Sequence, residues 1–167
     1  ARVTLPDNAP AANTWKGDFG EKPGDTLLLR GAQGHRWLLI RSAKKAGMTA
    51  EDMRVAGAVA RNQAESMERT GVTIDLQLTK QTDAQLQAAA EGAYMAAYDH
   101  GICKADRKKT VVKKIAIAVA DVNAAGRKAV RQGASTAIAN LYARELQNMP
   151  ANILTPKHFA AMARKVA

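Results

Sequence analysis

Hydrophobic and polar positions change their period several times along this chain, and each change marks an element. Thr26-Leu-Leu-Leu-Arg30 and Arg36-Trp-Leu-Leu-Ile-Arg41 are short apolar runs on either side of Gly31-Ala-Gln-Gly34, which predicts a β-hairpin. Thr49 and Asp52 are spaced as a capping box. Met53, Ala56, Ala60, Ala64 and Met67 then recur every three to four residues, predicting a helix to about Arg69 that Gly71 ends. Val72-Thr-Ile-Asp-Leu-Gln-Leu78 alternates as a strand. Thr82 or Asp83 caps a second helix, with Leu86, Ala89, Ala90, Ala93, Tyr94 and Ala97 on its buried face. A basic loop from Asp99 to Thr110 leads to a strand over Val111 to Ala120, and Asp121 opens a long Ala-rich helix to about Leu146. Asn148, Pro150 and Asn152 sit poorly inside helices and form a turn. Thr155 is placed to cap a last helix, with Pro156 at its first position.

The order β-β-α-β-α-β-α-α predicts the α/β class, a sheet covered by helices on both faces. Residues 1–14 are polar and rich in Pro, Ala and Asn, and read as a flexible arm. Residues 15–147 carry the domain, and residues 148–167 the turn and the start of a linker helix.

Composition narrows the functional classes. The 167 residues suit one domain, long enough to bury a core. No apolar run approaches the ~18 residues of a membrane helix; the longest clear one, Ile115-Ala-Ile-Ala-Val-Ala120, suits a buried strand. The single cysteine, Cys103, excludes an internal disulfide and fits a reducing compartment. No secretory signal is read at the N-terminus, and the opening Ala fits removal of a mitochondrial presequence or an otherwise trimmed start; a mitochondrial location is expected ahead of a cytoplasmic one. The net charge is +10, and it is one-sided. Residues 1–99 hold twelve Lys/Arg and twelve Asp/Glu, whereas residues 100–167 hold thirteen against three. This asymmetry predicts an acidic partner surface, nucleic acid or anionic lipid.

The densest cationic stretch runs from Lys104 to Lys114, and its Lys104, Arg107, Lys108, Lys109, Lys113 and Lys114 are candidate contacts to phosphates or to an acidic partner. No aromatic residue interleaves them, so base stacking is not indicated. Asp99, His100, Cys103 and Asp106 are a poor metal set, because a zinc site needs four ligands, mostly Cys and His. His35 and His158 are isolated, and His100 beside Cys103 lacks the third group of a nucleophilic triad. Gly31-Ala-Gln-Gly34 lacks a phosphate-loop ending and needs only to be a turn. Trp37 is expected to pack across strands. No cofactor, metal or catalytic residue is expected.

Four stretches carry a family resemblance. The run Arg144, Leu146, Asn148, Pro150, Asn152, Leu154, Thr155 and Pro156 resembles the junction between the two domains of the leucyl (cytosol) aminopeptidases. Trp15-Lys-Gly-Asp-Phe-Gly20 resembles the family's lead-in to its second strand. Val55-Ala-Gly-Ala-Val-Ala-Arg61 is similar to its first helix, and Ala90-Glu-Gly-Ala-Tyr-Met-Ala-Ala-Tyr98 to a pattern of Glu-Gly followed by an aromatic at a helix end. The resemblance spans about Trp15 to Ala167 and implies a three-layer α/β/α, macro-like N-terminal domain followed by a linker helix. It makes Arg144, Asn148, Pro150, Asn152, Thr155 and Pro156 an interdomain junction. The family's two-metal site uses Lys, Asp and Glu ligands of a C-terminal domain, including an Asn-Thr-Asp-Ala-Glu-Gly-Arg stretch that is not found here.

The expected function is therefore that of a catalytically inactive domain, not an enzyme by itself, serving as a structural subunit of a larger assembly through protein–protein contacts. One alternative is the N-terminal portion of an active two-metal aminopeptidase, for which the family implies release of N-terminal amino acids and a hexamer. Another is a basic nucleic-acid-binding module using Lys104 to Lys114, since some members of the family bind DNA.

Overall fold

The computed structural model describes residues 20, 22, 25–30, 36–41, 48–76, 81–99, 110–121 and 123–166. The elements are β1 (Thr26–Arg30), β2 (Arg36–Ile40), α1 (Ala50–Ser66), β3 (Gly71–Asp75), α2 (Asp83–Met95), β4 (Lys114–Ala118), α3 (Ala124–Asn148) and α4 (Pro156–Val166). The class is α/β, with the element order read from the sequence. Among the described residues the strands form two pairs, β1–β2 antiparallel and β3–β4 parallel. Leu28 faces Leu38 in the first register and Ile74 faces Ile117 in the second. A parallel pair needs a crossover, and α2 supplies it. The turn of the hairpin lies outside the described residues.

Local chemistry sets the helix ends. The Thr49 hydroxyl accepts the Asp52 N–H at 3.2 Å while the Asp52 carboxylate accepts the Thr49 N–H at 2.8 Å, so the expected capping box is formed. Thr82, not Asp83, caps α2, reciprocally with Gln85 (3.3 and 2.9 Å). Three boundaries differ from expectation. The helix α1 ends at Ser66, not Arg69, because Glu68 adopts φ 53° and the Arg69 N–H bonds back to the Ala64 carbonyl at 2.9 Å. This is the six-to-one bond of a Schellman ending, and Gly71 then begins β3 instead of ending the helix. The helix α3 is opened by Asn123, not Asp121: the Asn123 side-chain oxygen accepts the Gly126 N–H at 2.7 Å. The last strand starts at Lys114 and not Val111, for a reason that lies in Glu65.

Glu65 on α1 accepts the Val111 and Val112 N–H groups at 2.7 and 3.3 Å, taking the place of a strand neighbour. Beside it Arg61, only 4% exposed, donates to Glu65 (3.2 Å) and to the carbonyls of Ala93 (3.4 Å) and Val112 (3.3 Å). One buried guanidinium thus ties α1, α2 and the approach to β4 together. A second polar tie crosses α1 and α2: Arg54 donates to Glu91 at 2.8 and 3.1 Å and also pairs with Glu51. Its guanidinium is held above the ordinary arginine value, chiefly by the Glu91 hydrogen bonds, with partial burial opposing and Glu51 adding. Gln87 donates to the other Glu91 oxygen at 3.1 Å, so this buried carboxylate is satisfied on both sides.

The core lies between the helices and the strand pairs. Met53, fully buried, is surrounded by Ala60, Ile74, Leu76, Leu86, Ala88, Ala89, Ala93 and Ala129, with Ile40, Val72, Ile115, Ile117 and Val130 packed at the margin. Burying a side chain such as Met53 stabilises by about 1.5–3 kcal/mol. The abundance of Ala has a geometric purpose. The α1–α2 and α2–α3 contacts are close enough that Gly57, Gly92 and Gly133 each lie against a carbonyl oxygen of the neighbouring helix. Of the second helix's expected face, Leu86, Ala89, Ala90 and Ala93 are buried, Tyr94 and Ala97 half-buried.

Candidate interdomain junction and interaction surface

The end of α2 meets the end of α3 through one aromatic residue. Tyr98 lies just past α2, and its hydroxyl donates to the Arg144 carbonyl at 3.3 Å. The Asn148 side-chain amide donates to the same carbonyl at 2.9 Å and also to the Tyr98 hydroxyl. The Arg144 guanidinium carbon stands 4.7 Å from the Tyr98 ring centroid, a cation–π distance. Arg144 therefore contributes its backbone oxygen and its charge to one cluster. A cavity of about 150 Å³ opens beside it, lined by Tyr98, Asp99, Thr110, Leu141, Glu145 and Asn148.

Beyond this cluster the chain turns. Pro150 is half-buried, and its carbonyl accepts the N–H groups of Ile153 and Leu154, both at 2.9 Å. Asn152 is exposed in that turn. The Thr155 hydroxyl accepts the His158 N–H at 3.3 Å and its carbonyl accepts the Phe159 N–H at 2.9 Å, so Thr155 caps α4 with Pro156 as its first residue. Pro150 and Asn152 lie in the turn, Thr155 caps α4 and Pro156 opens it, as their local chemistry predicts. Asn148 differs: it is the last residue of α3 instead of part of the turn.

The candidate cationic stretch is only partly in view. Lys113 and Lys114 are exposed, and their N–H groups bond to the Thr70 carbonyl at 2.8 and 3.1 Å. Lys104, Arg107, Lys108 and Lys109 lie outside the described residues, as do His35, His100, Cys103, Asp106 and the Gly31–Gly34 turn. Asp99 lines the small cavity, His158 is exposed on the first turn of α4, and Trp37 is half-buried opposite Leu29.

Two features were not singled out from sequence. Arg127, Lys128 and Arg131 are exposed on α3, and Lys128 and Arg131 line a shallow groove of about 410 Å³ with Gln87, Gln132, Ser135 and Thr136. Among the described residues no carboxylate lines it. The signal was available: α3 carries three cations in its first turns and no acid before Glu145. The second is Phe159 on α4, which is 52% exposed, with Ile153 in the preceding turn at 48%. Among the described residues no three His, Cys, Asp or Glu side chains are grouped as metal ligands, and no helix is long and apolar enough to cross a membrane.

With this geometry the comparisons with known proteins agree. Residues 14–107, more than half of the chain, match the cytosol aminopeptidase family, N-terminal domain. A probable cytosol aminopeptidase of Afipia carboxidovorans is 33% identical over 95% of this chain and 32% of its own length. The neutral leucine aminopeptidase, chloroplastic, of Solanum lycopersicum is 29% identical over 90% of this chain and 27% of its own. Among solved structures, the bottromycin maturation enzyme BotP superposes with a TM-score of 0.78 at 25% identity, covering 96% of this chain and 35% of that one. The chain thus spans less than a third of the length of these curated relatives. It belongs to the cytosol (leucyl) aminopeptidase family and corresponds to that family's N-terminal domain.

Proposed function

We propose that this domain acts as a structural and interaction module of a larger aminopeptidase-family assembly and carries no peptidase chemistry of its own. The observation that supports this is the packed junction at its C-terminal end. Tyr98, Arg144 and Asn148 fix the end of α3, and the capped turn at Thr155 leads into α4, whose Phe159 is about half exposed. The one-sided positive charge favours an acidic partner surface. The printed names of the relatives, cytosol and chloroplastic, favour the cytosol or a plastid over a mitochondrial location.

A second reading has equal family support: the domain is the N-terminal portion of an active two-metal aminopeptidase. One test separates the readings, and a second checks that the chain has no peptidase chemistry of its own. A genomic reading frame that continues past Ala167 into the family's Asp/Glu motif favours the enzyme and removes the separate structural subunit. The purified chain, assayed on leucine p-nitroanilide with added Mn²⁺, is expected to release no product; turnover would overturn the non-catalytic reading. A nucleic-acid role draws support from the α3 groove and from Lys113 and Lys114. It requires duplex DNA binding that weakens steeply with salt, and no binding at low salt removes it.

A further inference from the structure

Five hydrogen-bond donors of α3, Lys128, Arg131, Gln132, Ser135 and Thr136, stand at positions i, i+3, i+4, i+7 and i+8 and so share one face of the helix. They cover about 12 Å of its axis. The approach of α3 to α2 at Gly133, where a β-carbon would overlap the Gln87 carbonyl, sets Gln87 beside that row and gives the groove of about 410 Å³ its second wall. All five side chains are exposed. Among the described residues neither Lys128 nor Arg131 has an ion-pair partner. The buried Glu91, one turn on from Gln87, is already taken by Arg54 and Gln87.

This lining offers positive charge and donors, and its only acceptors are hydroxyl and amide oxygens. We infer that the groove binds a short chain of phosphoryl groups, such as a tripolyphosphate or the triphosphate of a nucleotide. Arg131 presents a planar fork that fits two phosphoryl oxygens at once, and Lys128, a turn earlier, supplies a point charge. Ser135 and Thr136, a turn further on, donate to the oxygens of the next phosphoryl group, with Gln132 between the two sets.

Shape and lining select this ligand over larger ones. The volume falls in the range of small-molecule sites, about 300–1,000 Å³. Among the described residues no apolar or aromatic side chain lines the groove. A protein partner would need an apolar centre to its contact, and a single strand would need rings on which its bases stack. The donor row ends at Thr136, with Ile138 55% exposed just beyond it, so the long phosphate track of a duplex is not matched either. Thr136 lies about 12 Å along the axis from Arg144, which separates this site from the junction at the end of α3. The inference goes beyond the reading of the domain as part of an assembly and does not depend on it.

The test is isothermal titration calorimetry, in EDTA and at low salt, of the protein as purified from the cells that make it. The probes are sodium tripolyphosphate, ATP, orthophosphate and a short DNA duplex. The variants are Lys128→Gln, Arg131→Gln and the pair Ser135→Ala with Thr136→Ala. Lys113→Gln with Lys114→Gln serves as the control that removes charge elsewhere. Every substituted position is exposed, so the melting temperature without ligand should stay at the wild-type value. Tripolyphosphate is expected to bind about tenfold or more tightly than orthophosphate. Lys128→Gln and Arg131→Gln should each weaken it about threefold or more, and the Ser135/Thr136 pair should weaken it with no change of charge. The control should leave it unchanged. Equal binding of ATP makes the phosphate chain the whole ligand, tighter binding of ATP makes a nucleotide its source, and weaker binding makes the source free polyphosphate. Failure of tripolyphosphate to bind, or binding no tighter than that of orthophosphate, would overturn the inference. So would a control that loses as much as the groove variants, or a duplex that binds more tightly and is weakened by the same substitutions.

Discussion

Gly92 on α2 lies so close to the Arg54 carbonyl of α1 that a β-carbon there would overlap the oxygen. Gly57 stands in the same relation to the Ala89 carbonyl, three residues earlier on α2. In an exposed helix, replacing Gly by Ala stabilises by about 0.5–1 kcal/mol. Here the added methyl meets backbone, which cannot rotate aside, so α1 and α2 must separate. Gly92→Ala and Gly57→Ala should each destabilise by about 1–3 kcal/mol, read as a lower midpoint in thermal denaturation followed by circular dichroism. An unchanged or raised midpoint would mean that the two helices do not cross this closely.

Glu65 holds the approach to β4 and neutralises the buried Arg61. Glu65→Ala removes the acceptor of two N–H groups and leaves that guanidinium without its carboxylate. Breaking a buried pair costs about 3–5 kcal/mol, and partial exposure of Glu65 places the expectation near the lower end. Glu65→Gln keeps an acceptor and should lose less. Urea denaturation of the two variants checks the order, and equal losses would show that the lost charge, not the lost acceptor, accounts for the whole cost.

Glu68 occupies the left-handed position that ends α1, φ 53°, where helices usually place glycine. A β-carbon in that conformation costs roughly 1–2 kcal/mol. Glu68→Gly should therefore stabilise by about 1 kcal/mol even though it removes a side chain, while Glu68→Ala should change little. Stabilisation by alanine as large as that by glycine would assign the effect to the lost charge instead.

Tyr98 tests the junction. Tyr98→Phe keeps the ring beneath Arg144 but removes the hydroxyl that donates to the Arg144 carbonyl and accepts from Asn148. The cost should be about 1 kcal/mol, confined to the end of α3. Amide hydrogen exchange at residues 145–149 should quicken several-fold while exchange in α1 and α2 stays as before.

The parts of the fold that local spacing determines were legible in the sequence. The capping box at Thr49 was readable because its partner lies three residues on, whereas for the second helix the sequence narrowed the cap only to Thr82 or Asp83. The turn from Pro150 to Thr155, with its proline-opened helix, was readable too. What depends on distant partners was not. Val111 and Val112 look like strand, but their N–H groups go to a carboxylate nearly fifty residues away. Asp121 and Asn123 are both competent caps, and only the folded backbone selects Asn123. The ending of α1 was misplaced because Glu68 adopts a conformation that glycine ordinarily takes. At the junction, the residues of one strip of sequence were visible. Tyr98, which joins them from about fifty residues upstream, was noticed only as part of a family pattern.

The central claim, that this domain works as part of a larger assembly, is tested most directly by native mass spectrometry of the endogenous protein after gentle purification. The account predicts that residues 1–167 are recovered only within a larger species, either joined to the remainder of an aminopeptidase or in fixed stoichiometry with other subunits. Recovery at the mass of this chain alone, with no bound protein, would contradict it.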